Sequence, residues 1–150
     1  MTAQQQSAQS SEVLDRLLDL WTEPAGDEAE MVARFAQVYA DPVLINDVPM
    51  PLTELVARAQ LIGAGLADVS REVVDVLEAP GRLAFAFRLR GRHVGPLPTP
   101  LGPVPATGQE LDILGIDLLT LDDSGRIAAI SVLSGLMDAL AGLGAVTLRT

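Results

Sequence analysis

Two strand-like segments, joined by a loop rich in proline and glycine, constrain the fold of this chain more than any other feature. From Leu83 to Arg90, apolar residues alternate with alanine and arginine, and the segment from Leu111 to Leu121 is apolar at most positions. Alternation with a period of two predicts a β-strand. Between them, Gly95 to Gly108 repeats proline and glycine, which cannot continue a strand ladder or a helix. The pattern predicts a hairpin whose stiff loop forms a lid or rim.

The length and composition suit one domain with a sizeable core, since 49% of the 150 residues are hydrophobic. The net charge of −10 makes nucleic acid and anionic membranes poor partners, and no apolar run has the length of a membrane span. Residues 1–11 lack the basic and apolar regions of a secretory signal. We expect a disordered tail over residues 1–11 and a single cytoplasmic domain over residues 12–150.

The composition also removes several kinds of catalytic chemistry. Cysteine and lysine are absent from the sequence, which excludes thiolate chemistry and Schiff-base catalysis. His93 is the one histidine, so a multi-histidine metal site cannot form, and the acidic residues lack the spacing of a calcium loop. The sequence contains no phosphate-binding loop, dinucleotide fingerprint or nucleophile elbow. We therefore predict a protein that uses no metal and no cofactor.

The first part of the chain has helical periodicity. One apolar face, with Ser10 or Ser11 as the N-cap, predicts a first helix that residues 23–26 break. Asp27 and Glu30 have the spacing of a capping box and predict the start of a second helix, which Asp41 and Pro42 end. The residues predicted to be buried are Val13, Leu14, Leu17, Leu18 and Trp21 in the first helix and Met31, Val32, Phe35, Val38 and Tyr39 in the second.

The rest of the chain is mostly strands. A short strand is predicted at residues 43–46, a third helix at 53–66 and a short final helix after residue 135. The other predicted strands are residues 69–77, 83–90, 111–121 and 127–133. Helices followed by antiparallel strands are typical of the α+β class. We predict a cone-shaped, curved antiparallel or mixed sheet that the N-terminal helices cover on one face.

The segment from Leu111 to Leu121 is apolar on both faces, which has a consequence for assembly. One face carries Leu111, Ile113, Leu119 and Leu121, and the other carries Leu114, Ile116 and Leu118. The helices and a pocket can cover only one of these faces, so the other needs a second cover. We expect a homodimer, in which a second copy of the chain supplies it.

The order of several short motifs resembles that of the SnoaL-like polyketide cyclases. They are Gly-Arg-His-Val-Gly at residues 91–95, Thr-Gly at 107–108, Gly-Arg-Ile at 125–127 and a leucine- and glycine-rich ending at 136–144. The resemblance covers nearly all of the chain after the tail. It implies the cone-shaped α+β fold shared with nuclear transport factor 2, and a hydrophobic polyketide as the partner.

The resemblance also implies positions for the site. Known members of the family close rings by an aldol reaction inside the cone, with a buried aspartate as acid and base. Asn46 falls on the family's pocket asparagine. Asp117, Gly115 and Val132 stand where the family has histidine, glutamine and the catalytic aspartate. The usual acid/base group is therefore replaced.

Two mechanisms follow for a cofactor-free cyclase of bacterial secondary metabolism. In one, Asp117 is the general base, with a pKa raised by desolvation. In the other, an apolar pocket folds a flexible polyene for a [4+2] cycloaddition by positioning alone, and the apolar lining with valine at position 132 favours this pericyclase. The alternatives are an epoxide hydrolase or isomerase of the same fold, which needs two carboxylates and an arginine, and a non-catalytic binding protein for an apolar metabolite.

The candidate catalytic residues are Asp117, Asn46 and His93. For His93, a place at the rim or in a dimer contact is favoured over a catalytic base, because the sequence offers no orienting partner. Asp117 either acts on the substrate or forms an ion pair with Arg88 or Arg90, since a buried carboxylate is costly alone. The expected pocket walls are Trp21, Phe35, Tyr39, Phe87, Leu89, Gly115, Leu119, Val132 and Ser134, and the Pro-rich loop Gly95 to Gly108 is expected to gate the pocket.

Overall fold

The computed structural model describes residues 2–22, 26–147 and 149, which form four helices and six strands. The helices are α1 Ala3–Thr22, α2 Glu28–Ala36, α3 Leu52–Gly65 and α4 Leu136–Gly142. The strands are β1 Tyr39–Ile45, β2 Val48–Met50, β3 Leu66–Ala79, β4 Arg82–His93, β5 Glu110–Leu121 and β6 Ile127–Ser134. They form one mixed sheet in the order β2-β1-β6-β5-β4-β3, in which only the β1–β6 pairing is parallel. The predicted α+β class is confirmed.

The first helix begins much earlier than the sequence pattern indicated. Helix α1 starts at Ala3, so residues 3–11, predicted as a disordered tail, are helical. Thr2 Oγ1 accepts a hydrogen bond from the Gln5 backbone N–H, and Gln5 Oε1 accepts one from the Thr2 backbone N–H, as in a capping box. Glutamine and alanine are good helix formers, and Ser10 is buried. The predicted break at residues 23–26 falls mostly on residues outside the described ranges.

The capping box of the second helix is confirmed, but the end of that helix differs from the prediction. The Asp27 side chain accepts from the Glu30 backbone N–H at 2.9 Å, and Glu30 Oε2 accepts from the Asp27 backbone N–H at 3.1 Å. Helix α2 ends at Ala36, and Tyr39 is the first residue of β1 instead of a helical residue. Tyrosine fits a buried strand well, and the backbone N–H of Ile127 on β6 pairs with the Val38 carbonyl.

A short strand that the sequence pattern did not predict pairs with β1. Asn46 and Asp47 both have positive φ angles of 48° and 67°, which gives a tight two-residue turn between β1 and β2. Pro49 lies in β2, at the edge of the sheet, where proline is tolerated. Pro51 then precedes the first turn of α3.

The core consists of two clusters of buried side chains. The larger cluster joins α1, α2 and α3 to the inner face of the sheet, and includes Phe35, Leu52, Phe85 and Leu119. The smaller cluster joins the Pro-rich loop and α4 to the other end of the sheet, through Leu97, Leu111 and Leu140. Among the described residues, no helix combines the length and the apolar character needed to cross a membrane.

Strand β5 has the two faces that the sequence predicted. Its odd-numbered residues from Leu111 to Leu119 are buried, whereas its even-numbered residues are exposed. We define the outer patch as Leu114, Ile116, Leu118 and Leu133, which are between 37% and 70% exposed. Ile116 lies opposite Leu133 in the β5–β6 register, so these apolar side chains are neighbours. That a second chain covers the outer patch remains a prediction.

Candidate active site

A cavity of about 360 Å³ lies between the helices and the inner face of the sheet. Its lining comes from both core clusters, so the cavity occupies the region where the two clusters meet. Most of the lining side chains are aliphatic or aromatic, and the polar ones are few. Such a lining suits a hydrophobic small molecule whose orientation depends on a few polar contacts.

The register of the sheet places two rows of side chains along the inner face. Asp117 on β5 lies between Phe85 on β4 and Val132 on β6. In the next row, Gly115 lies between Phe87 and Ser134. Residues directly opposite in antiparallel strands point to the same face. The register therefore brings Asp117, Val132, Phe87 and Ser134, all cavity-lining residues, to one surface.

Gly115 provides room for an aromatic ring of the cavity wall. A Cβ atom at Gly115 would lie 2.4 Å from Phe87 Cζ and 2.7 Å from Phe87 Cε1, which real atoms do not tolerate. The ring of Phe87 therefore covers Gly115, and Phe87 instead of Gly115 lines the cavity. This corrects the prediction that Gly115 is itself a pocket wall.

Asp117 is the one carboxylate among the described residues that line the cavity. Its side chain is buried, Oδ1 has no hydrogen-bond partner in the part of the chain that the structure describes, and desolvation raises its pKa to about 7. The alternative of an ion pair with Arg88 or Arg90 is wrong. Both arginines bind Asp112, at 3.1 Å and 3.4 Å, because these three residues lie on the outer face of β4 and β5.

Three aromatic residues support one side of the cavity. The indole N–H of Trp21 donates a hydrogen bond to Tyr39 Oη at 2.9 Å. Phe35 stacks on Tyr39 with ring centroids 5.7 Å apart and meets Trp21 edge to face at 6.0 Å. Trp21 and Tyr39 line the cavity, whereas Phe35 lies behind them in the core. Phe35 therefore fixes the other two rings and is not a cavity wall.

Asn46 lies at the cavity but uses its amide for the backbone. Its Oδ1 accepts from the Val132 backbone N–H at 2.8 Å, and its Nδ2 donates to the Val132 carbonyl at 3.5 Å. The side chain thus extends the pairing between β1 and β6. A catalytic role remains a hypothesis, although both polar atoms of the amide already have partners.

His93 is fully buried, so the prediction of a rim or dimer-contact residue is wrong. Its Nδ1 accepts from the Thr107 backbone N–H at 3.3 Å and lies 3.1 Å from Thr107 Oγ1. The backbone of His93 also pairs with Gln109 and Gly108. His93 thus fastens the end of the Pro-rich loop to β4, and it is not among the described residues that line the cavity.

Most of the residues expected as pocket walls line the cavity, together with further residues that the sequence patterns did not single out. Trp21, Tyr39, Phe87, Leu89, Val132 and Ser134 line the cavity, whereas Leu119 is fully buried in the core. The sequence analysis missed Leu17, Leu18, Thr22, Leu55, Arg58, Ile62 and Leu136 on helices and Ile45, Leu66, Leu97, Ile113 and Ile130 on strands and the loop. The apolar periodicity marks most of them as inward-facing, but it does not distinguish cavity from core.

No group of three or more histidine, aspartate or glutamate side chains that could hold a metal ion occurs within the described ranges. The polar groups of the described lining residues are one carboxyl group, one phenol, one amide, two hydroxyls, the indole N–H of Trp21 and the guanidinium of Arg58. Arg58 also pairs with Glu54 at 3.1 Å.

Comparison with known proteins rests on structure. No family model and no curated protein matches the sequence. The solved structure of TsrD from Streptomyces laurentii matches with a TM-score of 0.76 and 19% identity, over 93% of this chain and 97% of that one. A protein from Jannaschia sp. CCS1 that is assigned as a SnoaL-like polyketide cyclase matches with a TM-score of 0.71 and 22% identity, over 95% of this chain and 94% of that one. The chain has the SnoaL-like fold.

The structure of IdmH from Streptomyces antibioticus, which is assigned as a polyketide cyclase, is also similar. It matches with a TM-score of 0.69 and 19% identity, over 90% of this chain and 98% of that chain. The SnoaL-like fold thus accounts for nearly the whole chain. It encloses the cavity described above between the helices and the curved sheet.

Proposed function

We propose that the protein is a polyketide cyclase that closes a ring within one hydrophobic substrate molecule, without a cofactor. The observation that carries this proposal is the apolar cavity of about 360 Å³, whose described lining residues include one carboxyl group, with an Oδ1 that has no hydrogen-bond partner among the described residues. An enclosed apolar wall favours a folded conformation of a flexible apolar chain. The names of several proteins with the same fold, assigned as polyketide cyclases, support the same substrate class.

The first mechanism is a cycloaddition that depends on positioning. Two carbon–carbon σ bonds form from π bonds of one polyene, no atom is lost, and no proton has to move. The apolar wall, including Val132 where the family resemblance implies an aspartate, supports this mechanism. Both reacting groups belong to one molecule, so the cavity lowers the barrier by holding the reacting carbons in a near-attack conformation.

The second mechanism uses Asp117 as a general base. The carboxylate removes a proton from a carbon next to a carbonyl, the carbanion attacks a second carbonyl, and the new alkoxide takes a proton back from the carboxylic acid. The unpaired Oδ1 and the pKa of about 7 suit a group that exchanges a proton near neutral pH. Replacing Asp117 with Asn should then lower kcat by about 10²- to 10⁴-fold, and leave it unchanged for a cycloaddition.

The alternatives receive less support from the cavity. An epoxide hydrolase or isomerase of the kind considered needs two carboxylates beside an arginine, and Asp117 is the one carboxylate among the described lining residues. Arg88 and Arg90, which could have served that reaction, bind Asp112 on the outer face. A binding protein for an apolar metabolite would use the same cavity without turnover.

Mass spectrometry of metabolites tests the proposal. The gene is deleted in the producing strain, and the compound that accumulates is compared with the normal product. An accumulated compound of identical mass with fewer rings supports a cycloaddition, and a compound that differs by water supports aldol closure with dehydration, or hydrolysis. An unchanged profile contradicts a cyclase and leaves the binding protein.

A further inference from the structure

The hydrogen bond between Trp21 and Tyr39 has a fixed direction. An indole N–H is a donor only, so Tyr39 Oη must be the acceptor of the bond at 2.9 Å. The phenol proton of Tyr39 is therefore not used by this bond. Within residues 2–22, 26–147 and 149, the phenol proton has no acceptor. A buried hydroxyl that lines a cavity and has a free proton can donate only to a molecule inside that cavity.

Asp117 lines the same cavity, and one of its carboxyl oxygens also lacks a hydrogen-bond partner among the described residues. Its Oδ1 is buried and has no partner in the described part of the chain. Both groups line the same cavity. Burial raises the pKa of Tyr39, the Trp21 bond opposes this rise, and the charge of Asp117 adds to it. Tyr39 therefore keeps its proton at neutral pH, and it remains a donor.

We propose that Tyr39 Oη donates a hydrogen bond to a carbonyl oxygen of the substrate, which is held in the cavity beside the Asp117 carboxyl. Trp21 is a positioning residue, because its N–H holds the phenol oxygen and turns the phenol proton away from the indole. Phe35 fixes the ring of Tyr39 by stacking on it. The inference rests on the proposed function and narrows its substrate to a hydrophobic chain with a carbonyl group next to the reacting carbons.

This oxygen site serves both mechanisms. In a cycloaddition, a hydrogen bond to a carbonyl conjugated with the acceptor double bond withdraws electron density and activates that bond. In an aldol closure, the same bond stabilises the negative charge that develops on the enolate oxygen. In each case, the donor is already in place before the substrate binds.

The test compares two inert probes of nearly the same shape, methyl β-naphthyl ketone and β-isopropenylnaphthalene. The ketone has a C=O group where the hydrocarbon has a C=CH₂ group. Their dissociation constants are measured by equilibrium dialysis for the native chain, Tyr39→Phe and Trp21→Phe. The carbonyl stretching frequency of the bound, carbon-labelled ketone is measured by infrared spectroscopy. The hydrocarbon leaves water more readily than the ketone, so the quantity compared between chains is the ratio of the two dissociation constants. We expect this ratio to favour the ketone about three- to tenfold more in the native chain than in Tyr39→Phe.

Tyr39→Phe should weaken binding of the ketone by this factor while leaving the affinity for the hydrocarbon probe unchanged, and should raise the carbonyl frequency. Trp21→Phe should weaken binding of the ketone by a smaller factor. If Tyr39→Phe does not fold, the native chain still decides, because a hydrogen-bonded carbonyl vibrates below its frequency in an alkane solvent.

The same ratio of dissociation constants in the native chain and in Tyr39→Phe, together with an alkane-like carbonyl frequency, would overturn the oxygen site and leave the apolar substrate pocket intact. An unchanged ratio in folded Tyr39→Phe, with a carbonyl frequency still below the alkane value, would overturn the role of Tyr39. Binding of neither probe would overturn both the oxygen site and the proposed function.

Discussion

Asp117 and Val132 lie directly opposite each other on β5 and β6, and both side chains line the cavity. The family resemblance implies a catalytic aspartate at the position of Val132. The structure places a carboxyl group on the adjacent strand instead, in the same row of the sheet. A substrate held against this row would still meet one carboxyl group, although from a different direction.

Burial of Asp117 makes stability depend on pH. Its pKa is raised from 3.8 to about 7, so the folded chain binds this proton more tightly than the unfolded chain. The folded state therefore loses stability as pH rises between these two values. Asp117→Asn removes this loss. The free energy of unfolding of Asp117→Asn minus that of the native chain should therefore increase by about 2–3 kcal/mol between about pH 5 and pH 8.

Urea unfolding at a series of pH values checks this prediction. Asp112→Asn is the matched control on the same strand. Hydrogen bonding to Arg88 lowers the pKa of Asp112, so any effect of this group on stability no longer changes with pH above its normal pKa. The control should show no increase over that pH range. Parallel pH curves for Asp117→Asn and the native chain would mean that Asp117 titrates as a solvated carboxyl.

Gly115→Ala should narrow the cavity. The added methyl group would meet the ring of Phe87, which lines the cavity, and we expect it to push the ring into the cavity. We expect the affinity for methyl β-naphthyl ketone to fall by about tenfold, because the displaced ring takes up ligand volume. The double variant Phe87→Leu with Gly115→Ala should recover affinity in the same dialysis measurement. Unchanged affinity in the single variant would show that the ring has another position available.

The outer patch should form the contact of a homodimer. Light scattering at micromolar concentration should give twice the chain mass of 15.8 kDa. Ile116→Asp places a charge at the centre of the apolar surface and should give monomers. Leu101→Asp is the control, since Leu101 is 75% exposed on the Pro-rich loop and is not part of the outer patch. A monomeric native chain would contradict the prediction.

The Pro-rich loop from Gly95 to Gly108 should gate the cavity. Leu97 lines the cavity, and its backbone exchanges hydrogen bonds with Val104 at 3.0 Å and 2.8 Å. Opening of the loop would break this pair, so its amides should exchange hydrogen faster than the amides of β5, and should slow when methyl β-naphthyl ketone binds. Equal protection of loop and strand, with and without ligand, would argue for a fixed loop.

Local sequence patterns predicted most of the secondary structure because they report which side of each element is apolar. The alternation around Phe85 and the capping box at Asp27 both correspond to the observed elements. The start of α1 was missed because the capping pair of Thr2 and Gln5 lies in a polar segment, where no apolar face marks a helix. Tyr39 follows Phe35 by four residues and so continues the apolar face of α2, which predicts a helical position for it.

The sequence by itself determined the α+β class, the two-faced strand β5 and the inward direction of Asp117, since these follow from local periodicity. Only the tertiary structure decided which inward residues border empty space. Phe35, Leu119 and His93 face inward as the wall residues do, but packing from other elements fills the space around them. The Asp112 ion pairs and the Trp21–Tyr39 bond also join residues from different elements, and such pairings depend on how the chain is folded in three dimensions.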